Sequence, residues 1–391
     1  MKKCRLGDLI ELQRGYDLPK SQANLGIYKV VTSNGILTYH NEYKSDQSVV
    51  IGRSGTVGNP QLIKEKFWPH NTTLFVKNFK GNDIEYIYYL LLNLNISKMK
   101  SGSNIPTLNR NHLHPIEVIA ETNTESQKKI VYILKLIDDH INNNNIINKK
   151  LEEIAITIYN YWFLQFDFMN EDGNPYRTSG GRMIWSEKLK QEIPEGWKVQ
   201  NLKENDLTEI INPGIERFKN KKTYIATGDV NGNNIDGGSN VTYEKRESRA
   251  NMQPIPNSVW FAKMKNSIKH ICVGKYSKRI IENNIFSTGF LGLKCLSENY
   301  LEYINCFINS SYFETKKNQL AHGATQEAVN NQDIKLIQLL IPNSKIIEKF
   351  HKITEKIFEE ININNEENNI LGELKDFLLP LLMNGQVTLK K

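Results

Sequence analysis

Gly102-Ser103-Asn104-Ile105-Pro106-Thr107-Leu108-Asn109, running on to Leu113, Ile116 and Val118, opens a long heptad-patterned segment. Far downstream, Gly323-Ala324-Thr325-Gln326-Glu327-Ala328-Val329-Asn330, running on to Ile334, Ile337 and Leu339, opens another. A shift of roughly 220 residues superimposes the two, and a repeat of that size means two copies of a whole module, not a solenoid. Val329 stands where the first copy has Leu108, and Glu327 where it has Pro106.

The heptads follow each signature. With Ile130 at position a, the a sites are Ile130, Ile137, Asn144, Leu151 and Ile158; the d sites are Ile133, His140, Ile147, Ile154 and Tyr161. The second segment puts Phe350, Ile357, Asn364, Leu371 and Leu378 at a, and Ile353, Glu360, Glu367, Leu374 and Leu381 at d. Apolar residues at this period predict long helices that pair through that seam. The expected contact set is Ile130, Ile133, Ile137, Ile147, Leu151, Ile154 and Ile158 against Phe350, Ile353, Ile357, Leu371, Leu374 and Leu378. Asn144 and Asn364 share the middle a site, where a buried Asn fixes register at some cost in stability. Thr124 with Gln127 reads as a capping box. The Asn-rich runs 142–145 and 362–369 are candidate break points. In a pseudo-symmetric chain the two helices are antiparallel, with one module at each end of the pair.

Between the helices and their signatures, short β-like runs alternate with turn clusters. Val49-Val50-Ile51 precedes Gly52-Arg53-Ser54-Gly55-Thr56-Val57-Gly58; Thr73 to Val76 precedes Asn78 and Gly81; Ile84 to Leu91 has helical periodicity. In the second copy, Ile225 to Val230 and Val259 to Ala262 read as strands. The fold class is therefore α+β: two α/β modules separated by two long antiparallel coiled-coil-like helices with an internal pseudo-two-fold. The boundaries are 1–121 for the first module, 122–166 for its helix, 167–196 for a linker, 197–342 for the second module and 343–386 for the second helix.

The 391 residues carry a net charge of +7 and a mean hydropathy of -0.49. The charge favours an anionic partner. Duplex DNA suits a duplicated module, because its backbone is locally two-fold. No run approaches a membrane span, the start lacks an apolar leader core, and the four cysteines are scattered, so the chain reads as cytoplasmic. No phosphate-binding Gly-x-x-x-x-Gly-Lys loop occurs, and the spacing of Gly52 to Gly58 fails the dinucleotide pattern and reads as a turn. Asn174-Pro175-Tyr176 lacks one proline of the Asn-Pro-Pro-Tyr motif that grips adenine in amino-methyltransferases. His112 and His114 flank Leu113, and on a strand they would share a face, but two histidines make a weak metal site.

The segment Trp162-Phe163-Leu164-Gln165-Phe166-Asp167-Phe168, then Gly173-Asn174-Pro175-Tyr176-Arg177-Thr178-Ser179-Gly180-Gly181, then Trp185 and Ile193-Pro194-Glu195-Gly196-Trp197, resembles the junction after the first spacer helix in specificity (S) subunits of type I restriction-modification systems. The order of module, helix, module, helix is similar to that family's along the whole chain. The resemblance implies a non-catalytic subunit that reads a bipartite, asymmetric DNA target, one half-site per module, with the helices setting the gap. It implies two methyltransferase (M) subunits that dock on the helices and methylate adenine with S-adenosylmethionine. Where a restriction (R) subunit is present, it adds ATP- and Mg-dependent translocation and cleavage. This chain itself is expected to hold no cofactor and no metal and to meet no membrane. Two other readings compete: a DNA methyltransferase or nuclease with its own specificity, and a coiled-coil adaptor that ignores DNA.

Base reading needs donors and acceptors with fixed geometry, whereas phosphate contacts need charge and hydroxyls. The loops that carry such residues give the candidate DNA contacts. In the first module they are Thr32, Ser33, Asn34, Arg53, Ser54, Ser103, Asn104, Thr107 and Arg110. In the second they are Lys263, Lys265, Asn266, Thr288, Thr325, Gln326 and Asn330.

Overall fold

Ser48–Gly52 is buried at every position, as a β-branched run must be when it is the inner strand of a sheet. In the computed structural model, which describes residues 1–19, 26–96, 107–323 and 326–387, that strand organises the first of two compact units. This unit comprises residues 1–143 and the C-terminal segment from Asn368. Its strands are β1 (Lys2–Arg5), β2 (Glu11–Arg14), β3 (Tyr28–Thr32), β4 (Gly35–His40), β5 (Ser48–Gly52), β6 (Pro60–Ile63), β7 (Phe67–Pro69), β8 (Thr73–Asn78) and β9 (Glu117–Ala120). Short helix α1 (Leu6–Leu9), then α2 (Ile84–Asn93) and α3 (Arg110–Leu113), punctuate them, and α4 (Thr124–Tyr159) follows β9. The sheets run β2-β8-β5-β6 and β4-β3-β7, with β3 and β7 parallel, and β1 pairs with β9. Asp83 caps α2 by accepting Tyr86 N–H at 2.9 Å, and α2 buries Tyr86, Ile87, Leu90 and Leu91 in the core.

The second unit, residues 144–367, repeats that plan. The hairpin β10 (Met183–Ser186) and β11 (Gln191–Pro194) precedes β12 (Lys198–Asn201), β13 (Thr208–Ile211) and β14 (Lys222–Ile225). Small strands β15 (Val230–Asn231), β16 (Asn234–Ile235), β17 (Ser239–Val241) and β18 (Ala250–Met252) come next, then β19 (Ser258–Ala262) and β20 (His270–Val273). Helix α5 (Lys278–Asn283), β21 (Asn284–Ser287), β22 (Phe290–Cys295), α6 (Leu301–Ile308), α7 (Ser311–Leu320), β23 (Gln338–Ile341) and α8 (Ser344–Met383) complete it. The sheet orders β13-β22-β19-β20 and β17-β14-β21-β18 reproduce those of the first unit with one added strand. β14 and β21 are again parallel, and β12 and β23 again pair. The architecture is α+β and duplicated. The repeat shift is not constant: Lys2 corresponds to Lys198, but Glu117 to Gln338, and among the described residues the second copy gains β15, β16, β18 and α5 between those points.

Neither long helix breaks at its Asn-rich run. In the first unit, Lys375 of α8 bonds Asp138 of α4 at 2.6 Å, and Tyr89 donates to the other Asp138 oxygen at 2.7 Å. In the second, Asn144 donates to Glu367, Asn364 to Asn148 and Asn148 to Asn365, all at 2.8 Å. Position numbers fall on α8 as they rise on α4, so the pairing is antiparallel within each unit. Asn144 and Asn364 are buried, as their a positions imply. The expected second row is displaced by one residue. Ile147, Ile154, Ile353 and Leu374 are exposed, and Ile133 is only partly buried. The buried row is Leu134, Asn148 and Ala155 on α4 and Thr354, Ile361 and Leu382 on α8, beside Ile130, Ile137 and Phe350. Leu151, Ile158, Ile357, Leu371 and Leu378 are half-buried. Small and amide side chains let the helices approach at this row, and a hydropathy pattern passes over them.

The helix start also differs from expectation. Asn123 caps α4 by accepting Ser126 N–H at 3.0 Å. Gln127 is fully buried instead: it accepts Asp83 N–H at 2.9 Å and donates to Asn82 and to the Glu121 carbonyl, each at 2.7 Å. The segment read as a linker folds onto the second core. Phe168 stacks on Tyr176 at 4.6 Å and on Trp197 at 5.1 Å, and Asp167 accepts both the N–H and the hydroxyl of Thr178.

Candidate nucleic-acid interface

Three turns of the first module leave the same end of its sheets, because β3 and β7 run parallel while β5 and β8 run antiparallel. Gly52 closes β5 so tightly that a Cβ there would lie 1.8 Å from the Thr56 carbonyl oxygen. Arg53 and Ser54 then direct their N–H groups at the Thr72 carbonyl, at 2.8 and 3.2 Å. Ser33 N–H points at the Thr72 hydroxyl at 3.4 Å, and the Arg53 carbonyl accepts Leu108 N–H at 2.8 Å. Thr32, Asn34, Arg53, Ser54 and Thr107 are thus brought to one place, with Thr32, Arg53 and Ser54 half-buried and Asn34 and Thr107 exposed. The Arg53 guanidinium has one long bond, to the Asn71 carbonyl at 3.5 Å, and no carboxylate partner among the described residues. Ser33 is buried and cannot present its hydroxyl; it holds the turn. Arg110 is exposed on α3, while Ser103 and Asn104 lie outside the described residues.

The second module repeats two of these ties, those made by the Arg53 N–H and the Arg53 carbonyl. Lys263 follows the inner strand β19 as Arg53 follows β5. Its N–H donates to the Gly289 carbonyl in the β21–β22 turn at 3.0 Å, and its carbonyl accepts Val329 N–H at 3.0 Å. Burial pushes the half-buried Lys263 ammonium below the usual lysine range, and no carboxylate faces it among the described residues. Lys265 is engaged otherwise: it pairs with Glu327 at 2.6 Å. Asn266 is exposed and takes a left-handed conformation, φ 55°, while its N–H bonds Asn318 at 2.8 Å. Thr288 is half-buried, its N–H held by the Arg249 carbonyl at 2.9 Å. Gln326 is exposed, and Thr325 lies outside the described residues. Asn330 differs from expectation, because its side-chain oxygen accepts the N–H groups of Gln332 at 2.7 Å and Asp333 at 3.0 Å. It caps a turn, as Asn109 caps α3.

Sequence reasoning named Thr288 in the third turn of the second module but missed the corresponding turn of the first, Asn71-Thr72. No local signal marks Asn71-Thr72; only strand pairing brings it beside Arg53. The other sequence candidates resolve into structure. His112 lies in α3 rather than on a strand, and His114 Nε2 accepts Leu12 N–H at 3.0 Å. Tyr176 of Asn174-Pro175-Tyr176 is stacked on Phe168, with its hydroxyl on the Arg182 carbonyl. Among the described residues no group of His, Cys, Asp and Glu could hold a metal ion, and no helix is long and apolar enough to cross a membrane.

Residues 1–154 match a family model described as the type I restriction modification DNA specificity domain. The chain is similar to the type I restriction enzyme MjaIX specificity subunit of Methanocaldococcus jannaschii, 26% identical over 317 residues that cover 78% of this chain and 70% of that protein. It is similar also to the HindI specificity subunit of Haemophilus influenzae, 24% identical over 330 residues, 67% of either chain. In fold it resembles the crystal structure of an S subunit from M. genitalium, with a TM-score of 0.53 and 14% identity, covering 100% of this chain and 96% of that one. A duplicated module with shared loop ties, a specificity-domain model over the first copy and relatives that run through both copies lead to one conclusion: residues 1–154 match a type I restriction-modification DNA specificity domain, and the chain as a whole is similar to type I specificity subunits.

Proposed function

We propose that this chain is the non-catalytic DNA-reading subunit of a type I complex. Each module engages one half of a bipartite, asymmetric target, and α4 and α8 set the DNA length between the halves. The observation that carries this reading is the matched placement of Arg53 and Lys263. Each cation stands at the end of an inner strand, its backbone fixed from two sides, its charge without a carboxylate among the described residues. Such a group is ready for a phosphate or a guanine edge. Hydroxyl and amide side chains in the adjoining turns supply the remaining contacts.

The partners are double-stranded DNA, two M subunits and, in complexes that cleave, an R subunit. S-adenosylmethionine, ATP and Mg belong to those partners, and the complex works in the cytoplasm. Tyr132, Leu136, Ile147 and Ile154 on α4, and Ile370, Leu374 and Phe377 on α8, are large apolar side chains left exposed on the helices. Exposed apolar residues concentrated on an element mark a protein contact, and we assign them to M-subunit docking. The test is to reconstitute the full chain with its M subunits and sequence the methylated adenines. A bipartite motif is the expected product. Methylation or cleavage by the chain alone would make it an enzyme, and methylation without sequence preference would remove the recognition role.

A further inference from the structure

Segments 263–265 and 327–329 form a short antiparallel ribbon at the end of β19. Val329 N–H bonds the Lys263 carbonyl at 3.0 Å, Met264 bridges Ala328, and Lys265 N–H bonds the Glu327 carbonyl at 2.9 Å. Lys265 and Glu327 are therefore directly opposite, on the face that carries Lys263. Their side chains bond at 2.6 Å, yet stay 38% and 48% exposed. Counting from the common anchor, the first module has Gly55 in place of Lys265, and its signature has Pro106 in place of Glu327, a position outside the described residues. Neither carries a polar side chain. The pair is thus special to the second module.

A carboxylate on a face that meets phosphates opposes binding through charge. Its use there is as an acceptor for a base-edge donor. In the major groove the donors are the exocyclic amino groups of cytosine and adenine, and a lysine complements guanine O6 and N7. Within a C·G pair, the cytosine amino group and guanine O6 are one hydrogen bond apart, about 2.9 Å. Lys265 Nζ and Glu327 Oε2 have a matching spacing, with acceptor and donor side by side. Resting on the DNA-reading function proposed above, we propose that Lys265 and Glu327 together read one C·G base pair in the half-site of the second module. Glu327 accepts from the cytosine amino group, and Lys265 donates to guanine O6. The reversed pair sets donor on donor and acceptor on acceptor. An A·T pair keeps the order but puts the thymine methyl, instead of guanine N7, beside the lysine. The mutual bond of the two side chains holds both in place before DNA arrives, so little rotamer freedom is lost on binding.

The experiment compares the methylated motifs made by complexes of M subunits with the wild-type chain, with Glu327→Gln and with Lys265→Met. The wild-type motif is expected to hold a C·G pair in one half-site, and each variant should lose preference at that position alone, by about 5- to 150-fold. Urea midpoints equal to wild type are expected, since both side chains lie at the surface. A motif unchanged in both variants overturns the assignment, as does lost preference at an A·T position or a uniform fall across all sites. A wild-type complex that methylates with no motif overturns the recognition function itself, a separable result.

Discussion

Asn148 is 3% exposed and makes two bonds of 2.8 Å across the helix pair, accepting from Asn364 and donating to Asn365. Replacing it with Leu leaves an Asn364 N–H without this partner at a site only 6% exposed, and strips one acceptor bond from half-buried Asn365. A buried polar group deprived of its partner costs about 1–3 kcal/mol. Two such losses come to roughly 2–6 kcal/mol, less about 1 kcal/mol for the added apolar burial. Asn148→Leu should therefore destabilise the chain by about 1–5 kcal/mol, a large share of the 5–15 kcal/mol usual for a folded protein. Asn364→Leu alone should cost about 1–3 kcal/mol. The double variant removes donor and acceptor together, so its cost should fall below the sum of the singles by at least about 1 kcal/mol. Equilibrium urea unfolding followed by circular dichroism measures all three. Single costs under about 0.5 kcal/mol, or strict additivity, would show that these amides do not fix the register.

Three more expectations can be checked. Thr178 donates its hydroxyl to Asp167 at 2.6 Å, and this bond, with the Thr178 N–H, holds the carboxyl below its usual range. A depressed carboxyl contributes stability that is full above the unfolded pKa, near 4, and lost as pH falls through the lower folded value. The urea-midpoint gap between wild type and Thr178→Val should thus be full at pH 7 and shrink below about pH 4; a gap constant with pH would contradict it. Arg53→Ala and Lys263→Ala should each relax one half-site by about 1–3 kcal/mol, and not the same one, while stability changes little. An equal weakening on every DNA sequence would mark a phosphate contact instead. Inserting one heptad into both α4 and α8, about 10 Å of rise, should lengthen the gap between half-sites in the methylated motif, and an unchanged gap would remove the spacer role.

The duplication was legible because the signature at Leu108-Asn109 and Val329-Asn330 does a backbone job in both copies: one residue ties to Arg53 or Lys263, the next caps a turn. The helices were legible from period alone, and the a row from Ile130, Ile137 and Phe350. The neighbouring row was not, since its occupants include Asn148, Ala155 and Thr354, whose burial follows from close backbone approach and cross-helix hydrogen bonds rather than from apolarity. Gln127 illustrates the same limit: an i, i+3 pattern suggested a local cap, whereas long-range bonds to Asp83 and Asn82 decide its place. Arg53 and Lys263 stood out as loop cations, but the turns at Thr72 and Gly289 that position them belong to other strands. Asn330 and Ser33 looked like polar loop residues free to touch a ligand, and both are consumed by their own turns.

Each module begins and ends on one antiparallel strand pair, β1 with β9 and β12 with β23. Entry and exit are clasped together, so whatever lies between them can grow or change without moving the chain that leaves for the next helix. The extra β15, β16, β18 and α5 of the second copy are such growth, absorbed with both of its clasping strands still paired. A module built this way behaves as a cartridge: its contents can differ between the two clasping strands while the chain on either side keeps its path.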